Sequence, residues 1–193
     1  PAASPGARAS THASPQAQFL WSCYRDLFHY AAVHLQSIAD NARDLDFAIR
    51  WGFGYKIGPF ETWQAAGWEQ VAKWIAEDIA AGKAMTNTPL PAWVMESGRT
   101  GVHTPNGSFS PATHSLKPRS TLPVYKRQLF PETVLSEGAN PGTTIYENDG
   151  VRMWHTGDNM PIVSFKSKMH AVSEDVLDGL LHAIDLAEKN FES

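Results

Sequence analysis

Apolar residues in the first half of the chain recur at steps of three and four, the spacing that lines one face of an α-helix. The pattern predicts a long helix over residues 19–39 and a second helix over residues 44–51. Two more are predicted over 59–67 and 69–81, with Pro59 in a first helical turn and glycines at 52, 54, 67 and 82 as helix ends. We therefore expect a compact helical cluster.

The second half of the chain has a different pattern. Prolines at 89, 91, 105, 111, 118, 123 and 131 exclude long helices, and Asn-Gly-Ser at 106–108 indicates a hairpin turn. Strands are predicted at 144–147, 151–155 and 161–165. Ser173 then suits the N-cap of a helix whose apolar face comprises Val176, Leu177, Leu180, Leu181, Ile184 and Ala187. The predicted class is α+β: a mainly helical domain, then a small, incomplete β-β-α segment.

The composition of the chain limits the classes of partner and the cellular location that we expect. The net charge is −4, which gives no reason to expect nucleic acid as a partner, and no apolar run is long enough for a membrane span. The single cysteine, Cys23, excludes an intramolecular disulfide, in keeping with a cytoplasmic location. Its place in an apolar helical stripe predicts a buried thiol.

Tryptophan is abundant, with six of the seven residues in the first half of the chain. Two interpretations are open: the tryptophans fill a helical core, or they form the exposed surface of a free-standing interaction module. For the core interpretation we expect Trp51, Phe53 and Phe60 to be buried around the Gly-Phe-Gly turn at 52–54.

Motifs that carry chemistry are missing from the sequence. His29 and His34 are five apart, off a common helix face, and no paired-cysteine motif occurs, so no metal site is expected. A nucleophile elbow is absent; its nearest approximation is Gly107-Ser108-Phe109. Asp46 and Arg50 are expected to form an ion pair at the surface or a helix end, and Glu61 to interact with first-turn N–H groups. No catalytic residue is predicted.

Residues 25–68 resemble the C-terminal helical domain of 3-hydroxyacyl-CoA dehydrogenases. The resemblance rests on a long helix followed by an acidic residue opening a short helix, Trp-Gly-Phe-Gly at 51–54, Gly-Pro-Phe-Glu at 58–61 and Ala-Gly-Trp at 66–68. It looks like the second helical repeat of the multifunctional members. The family's glycine-rich NAD turn is absent, because the glycines at 52–58 follow a predicted helix rather than a strand.

Residues 122–193 resemble the first strand, loop and helix of an enoyl-CoA hydratase, or crotonase, domain. The turn His170-Ala171-Val172 stands where that family usually has Asn-Ala-Leu. The resemblance implies that the loop after the strand approaches CoA phosphates. It makes Lys166, Lys168 and His170 the candidate CoA contacts.

Together the resemblances imply a part of a multifunctional β-oxidation enzyme. The implied boundaries are a linker at 1–17, a helical domain at 18–116, a Pro-rich connector at 117–142 and a crotonase-like start at 143–193. The parent would use NAD and acyl-CoA, with the remaining domains of the polypeptide as partners, while this part would be inactive. The exposed face of the last helix would be covered by the helical domain or in a homodimer. An autonomous hydrolase is the third hypothesis, requiring a Ser, a His and a carboxylate together in a cleft.

Overall fold

The computed structural model describes residues 14–126, 128, 131–138, 142–157 and 159–191. The chain divides into two compact units, unit 1 at residues 1–138 and unit 2 at 139–193. The described residues form helices and two small antiparallel sheets, so the predicted α+β class is confirmed. Among these residues, no helix is both long enough and apolar enough to cross a membrane. Most of the predicted 1–17 linker lies outside the described residues.

The long helices described in unit 1 are α1 (Pro15–Ile38), α2 (Ala42–Phe53) and α3 (Pro59–Ala80). The first two match the predicted helices, with boundaries shifted by a few residues. The two predicted helices at 59–67 and 69–81 meet in α3 without a loop between them. Gly67 has non-helical φ 102° and ψ 89°, so the predicted break at this glycine is present as a kink within α3.

Local chemistry fixes both ends of α2. The Asn41 side chain accepts hydrogen bonds from the N–H groups of Arg43 and Asp44, at 3.0 and 3.4 Å, as an N-cap residue does. Gly54 ends the helix in the left-handed region with φ 70°, which confirms its predicted role. Pro59 then starts α3 in its first turn, where a missing N–H costs nothing.

Stacked aromatic rings form the centre of unit 1. Trp63 is fully buried, and its ring lies 4.2 Å from the Trp68 ring and 5.5 Å from the Phe28 ring, both nearly parallel to it. The Trp63 indole N–H donates to the Trp68 carbonyl at 3.0 Å. Around them pack Trp21, Ala31, Leu35, Leu45, Phe60, Val71, Ile75, Trp93, Val94, Val102 and Phe109.

A small sheet completes unit 1. It contains β1 (His103–Thr104), β2 (Gly107–Ser110) and β3 (Ser115–Lys117), all antiparallel and in that order. The predicted hairpin turn is confirmed between β1 and β2. A 3-10 turn at Ala92–Met95 precedes the sheet and the short helix α4 (Pro123–Lys126) follows it. The sheet packs on α2 through β2.

The part of unit 2 that the structure describes contains a three-stranded antiparallel sheet and one α-helix. The three predicted strands are present as β4 (Thr143–Glu147), β5 (Val151–His155) and β6 (Ile162–Phe165), and they pair in sequence order. A 3-10 turn at Lys168–His170 leads to α5 (Glu174–Asn190), which packs against β5 and β6. Ser173 occupies the predicted N-cap position, although its side chain makes no capping hydrogen bond.

The predicted apolar face of α5 is only partly correct. Val176, Gly179 and Ala183 are buried against the sheet, whereas Leu177, Leu181 and Ile184 are exposed. A Cβ at position 179 would lie 2.4 Å from Val151 Cγ2. The helix thus approaches the sheet along its smallest residues, and the larger side chains turn outward.

This close approach makes Gly179→Ala destabilising. Alanine favours a helix by about 1 kcal/mol over glycine, but overpacking against Val151 should reverse the sign and give a net loss of roughly 1–3 kcal/mol. Amide hydrogen exchange in β5 measures the effect within unit 2. Asp178→Ala, at the exposed neighbouring position, is the control and should change exchange little. Slower exchange in Gly179→Ala would contradict the close approach.

Candidate functional site

A serine, a histidine and an aspartate form a hydrogen-bonded chain inside unit 1. His103 Nδ1 lies 2.9 Å from Ser108 Oγ, and His103 Nε2 lies 2.8 Å from Asp46 Oδ2. His103 and Ser108 face each other across the β1–β2 hairpin, and Asp46 comes from α2. The sequence contains a signal for half of this cluster, since a hairpin turn near residue 106 places residues 103 and 108 opposite each other. Nothing in it indicates the contact with Asp46.

Asp46 also caps the N-terminus of α3. Its two carboxylate oxygens accept the N–H groups of Phe60 and Glu61, each at 2.9 Å, where the positive end of the helix dipole favours an anion. Burial raises the pKa of Asp46 above its ordinary value, while the hydrogen bonds from His103 and from these two N–H groups oppose that rise. The carboxylate therefore joins α2, α3 and the small sheet at one point.

The predicted ion pair between Asp46 and Arg50 is wrong. Asp46 is fully buried and bonded elsewhere. Arg50 instead contacts Glu61, with 3.6 Å between Nη1 and Oε2, and Glu132, with 3.1 Å between Nη2 and Oε2. The spacing of four residues placed Asp46 and Arg50 within reach on α2, but the N-terminus of α3 supplies stronger partners for the aspartate.

The buried triad does not meet the requirements of a hydrolase. Ser108 has no exposed surface, His103 is 2% exposed, and both ring nitrogens of His103 are already engaged. A nucleophile needs access to a substrate and donors for the developing oxyanion. The hydrogen-bond condition of the hydrolase hypothesis is met and its cleft condition is not. The cluster is consequently a structural network.

The glycine segment at 52–58 does not provide a phosphate site. A phosphate at a helix N-terminus uses free N–H groups, but those of Phe60 and Glu61 already bind Asp46. The Gly58 N–H donates to Glu61 Oε2 at 2.7 Å, and a Cβ at Gly58 would lie 2.4 Å from the Asp46 side chain. The N-terminus of α3 is filled by the chain's own carboxylates, so these residues do not fit the pyrophosphate of NAD.

Glu61 has the predicted first-turn role and a second one. Besides capping Gly58, it accepts the Leu135 N–H at 2.9 Å through its other oxygen. The Thr133 carbonyl accepts from Arg50 at 2.9 Å, and Val134 is buried. Glu61 thereby fastens residues 131–138, part of the predicted connector, to the helices of unit 1.

The outer surface near the α2–α3 turn is aromatic and exposed. Trp51, Phe53 and Tyr55 are 65%, 74% and 52% exposed, so the predicted burial of the first two is wrong, while that of Phe60 is confirmed. Trp51 stacks on Phe47 at 4.8 Å and donates its indole N–H to Glu132 at 3.0 Å. Beside this turn lies an open cavity of about 300 Å³, lined by Tyr24, Leu27, Tyr55, Lys56, Ile57, Gly58, Pro59 and Thr62. We call the cavity and the exposed turn residues Trp51, Phe53 and Tyr55 the aromatic surface.

Most tryptophans nevertheless lie in the interior. Five of the seven are buried, Trp74 is half-buried and Trp51 is exposed. This distribution favours the core interpretation over an interaction module built from many exposed tryptophans. Cys23 is exposed, against the prediction, because the buried face of α1 is centred on Phe28, Ala31 and Leu35.

The three candidate CoA contacts lie in the loop between β6 and α5. Lys166 forms an ion pair with Glu147 at 2.9 Å and donates to the Asn148 carbonyl at 2.7 Å. This ion pair lowers the pKa of Glu147. Lys168 and His170 belong to the exposed 3-10 turn, where Met169 and His170 have φ of 57° and 55°. Their role in CoA binding stays a prediction. Throughout the described part of the chain, no three His, Cys, Asp or Glu side chains form a group that could hold a metal ion.

Comparison with known proteins gives one curated relative. A probable 3-hydroxyacyl-CoA dehydrogenase of Bacillus subtilis (strain 168) is 26% identical to this chain over 182 residues. The aligned region covers 91% of the chain and 21% of that protein, so the chain spans about a fifth of the relative's length. No protein-family model matches the chain, and no solved structure matches it. The similarity supports a distant relation to the 3-hydroxyacyl-CoA dehydrogenases.

Proposed function

We propose that this chain is a structural segment of a 3-hydroxyacyl-CoA dehydrogenase-related protein and has no active site of its own. The parent would oxidise 3-hydroxyacyl-CoA with NAD, and in the finer form of the proposal it would also hydrate enoyl-CoA. Unit 1 would correspond to a second C-terminal helical repeat and unit 2 to the beginning of a crotonase-like domain. The similarity to the Bacillus protein supports the dehydrogenase relation.

The arrangement around Asp46 carries the proposal. The residue types best suited to catalysis in unit 1, Asp46, His103 and Ser108, are buried and bonded to one another. The N–H groups at the N-terminus of α3, which are best placed to hold a phosphate, donate to the Asp46 carboxylate instead. In a catalytic domain such groups would face the substrate. In this chain they hold α2, α3 and the small sheet together. A scaffold uses its polar residues in this way.

The aromatic surface indicates what the scaffold would do. Isolated exposed apolar residues are ordinary, but Trp51 and Phe53 are both exposed in the last turn of α2, the Phe53 ring lies 6.4 Å from the Tyr55 ring, and Tyr55 lines the open cavity. In the proposed parent this surface would pack against the neighbouring helical repeat. The alternative, a free-standing interaction module, would use the same surface for another protein, although the burial of five tryptophans makes it the weaker candidate.

Unit 2 would supply the CoA side of the proposed hydratase domain. Its order of strand, loop and helix follows the order implied by the crotonase resemblance. Because Lys166 is paired with Glu147, the candidate side chains most open to a CoA phosphate are those of Lys168 and His170. Such a contact would need the remaining residues of that domain.

The test is a search for dehydrogenase activity in the 193-residue chain. With NAD and a 3-hydroxyacyl-CoA the chain should produce no NADH absorbance above a protein-free control. Calorimetric titration of NAD alone should give no binding heat, because the described glycine segment offers no pyrophosphate site. Protein-dependent NADH formation, or saturable NAD binding lost on replacing Gly52 and Gly54 with alanine, would refute the non-catalytic role.

A further inference from the structure

The outer edge of β6 and the exposed side of α5 form one surface at the same side of unit 2. Within the described residues, β6 is the last strand of its sheet and pairs only with β5. His182 contacts Tyr146 of β4 at a ring distance of 4.4 Å, which identifies the flank of α5 that faces β4. The opposite flank, above β6, bears Leu177, Leu181 and Ile184, each more than half exposed. We call these three residues the α5 stripe.

The open edge of β6 has a defined set of hydrogen-bonding groups. In an antiparallel ladder, alternate residues point their N–H and C=O groups at the paired strand and away from it. The Lys166 N–H donates to the Gly150 carbonyl at 2.8 Å, so Ser164, two residues earlier and opposite Arg152, also faces β5. The backbone groups of Val163 and Phe165 therefore point outward.

We propose that a second copy of this chain pairs with unit 2 along β6, about a two-fold axis that passes through Ser164. This inference goes beyond the proposed function. Antiparallel pairing centred on Ser164 places Val163 opposite the partner's Phe165 and uses the outward N–H and C=O groups of both residues in both copies. A register centred on Val163 would instead oppose Phe165 to the partner's Pro161, which has no N–H. Of these two registers, only the one centred on Ser164 gives each of the outward N–H and C=O groups of Val163 and Phe165 a partner.

The same axis brings together the two α5 stripes. Strands in a sheet are about 4.8 Å apart, so a helix that lies over β5 and β6 and packs mainly on β5 is roughly 5–7 Å from an axis at the outer edge of β6. Two such helices would lie roughly 10–14 Å apart, so their contact would be made by the large side chains of the α5 stripe. Gly179 lies against Val151, and Ala183 faces the sheet one helical turn further along α5. Leu181 lies between these two residues along the helix. Because Arg152, next to Val151, is opposite Ser164, we expect Leu181 to be the residue of the stripe closest to the axis.

A second copy fits this surface because both halves are self-complementary. The strand edge offers matched donors and acceptors under two-fold symmetry, and the apolar stripe meets an identical apolar stripe. Glu174, Asp178, Asp185 and Glu188 surround the stripe and remain at the solvent rim. Repulsion between these carboxylates should be screened by salt, so the dimer should strengthen as ionic strength rises.

The first experiment measures the mass of the 193-residue chain in solution. Sedimentation equilibrium at micromolar concentration should show a dimer, and Leu181→Glu should weaken it at least tenfold. Met85→Glu, which alters an equally exposed apolar residue of unit 1, should leave the dimer unchanged. A monomeric wild type, or a dimer indifferent to Leu181→Glu, would overturn the proposal. Circular dichroism establishes that Leu181→Glu is folded; if it is not, Ile184→Glu takes its place.

The second experiment locates the axis. Non-hydrogen-bonded antiparallel pairs have Cα atoms about 4.5 Å apart, within the range that a disulfide spans. With Cys23→Ser as background, Ser164→Cys should cross-link two copies on mild oxidation, as two thiols lose two protons and two electrons to the added oxidant. Ser120→Cys, exposed in unit 1, is the control and should remain uncross-linked. Equal cross-linking of both variants, or none of Ser164→Cys, refutes the axis. Neither readout depends on NAD, so failure here is distinct from failure of the proposed function.

Discussion

Asp46→Ala is expected to lower the free energy of unfolding of unit 1 by about 3–5 kcal/mol, because each buried hydrogen-bonding group left without its partner costs about 1–3 kcal/mol. The substitution leaves His103 Nε2 and the N–H groups of Phe60 and Glu61 without their acceptor. Since a domain is stable by only about 5–15 kcal/mol, a large part of the stability of unit 1 would be lost. Chemical denaturation followed by tryptophan fluorescence measures the change.

Two further variants separate the role of the Asp46 bonds from the loss of a negative charge. Asp40→Ala also removes an aspartate near the start of α2, but the Asp40 side chain is 82% exposed, so it should cost less than about 0.5 kcal/mol. Asp46→Asn keeps one acceptor oxygen and should be intermediate. If Asp46→Ala were no worse than Asp40→Ala, the buried network would not hold the unit together.

The helices of unit 1 could be predicted because their signals are local. Apolar spacing, the N-terminal Pro59 and the left-handed Gly54 each act within a few residues. The strands of unit 2 were also predicted close to their observed positions, because strand signals are likewise local. Gly67 shows the limit of such signals: a helix-ending residue was identified, but the second segment continues from it without a loop, so a kink replaces an end.

The candidate site could not be predicted because its contacts join distant parts of the chain. Asp46 and His103 are 57 residues apart, and a helical spacing rule assigned Asp46 to Arg50 instead. The face of α5 was misplaced for a related reason. Apolar spacing identifies large residues. The helix packs closest to the sheet at Gly179, and spacing rules do not count glycine as an apolar position.

The relation to dehydrogenases was carried by short motifs whose structural roles are now visible. Gly-Pro-Phe-Glu at 58–61 places a cap, a first-turn proline, a core ring and a carboxylate in four consecutive positions. Trp-Gly-Phe-Gly at 51–54 places two aromatic rings outside the unit before the helix ends. These motifs therefore specify the turn between α2 and α3 and the surface next to it.

Trp63→Ala should be the other large loss, at about 3–5 kcal/mol, because it opens a cavity where the side chain has no exposed surface. The Trp63 ring also stacks on Trp68 and Phe28, and such aromatic pairs add about 0.5–1.5 kcal/mol beyond burial.

Trp51→Ala is the matched control. Trp51 is 65% exposed, stacks on Phe47 and bonds the exposed carboxylate of Glu132, so its removal should cost about 1 kcal/mol or less. Denaturation of both variants, followed by circular dichroism because each removes a fluorophore, gives the difference. A loss for Trp51→Ala equal to that for Trp63→Ala would place the α2–α3 turn inside the core and would remove the aromatic surface on which the scaffold proposal depends.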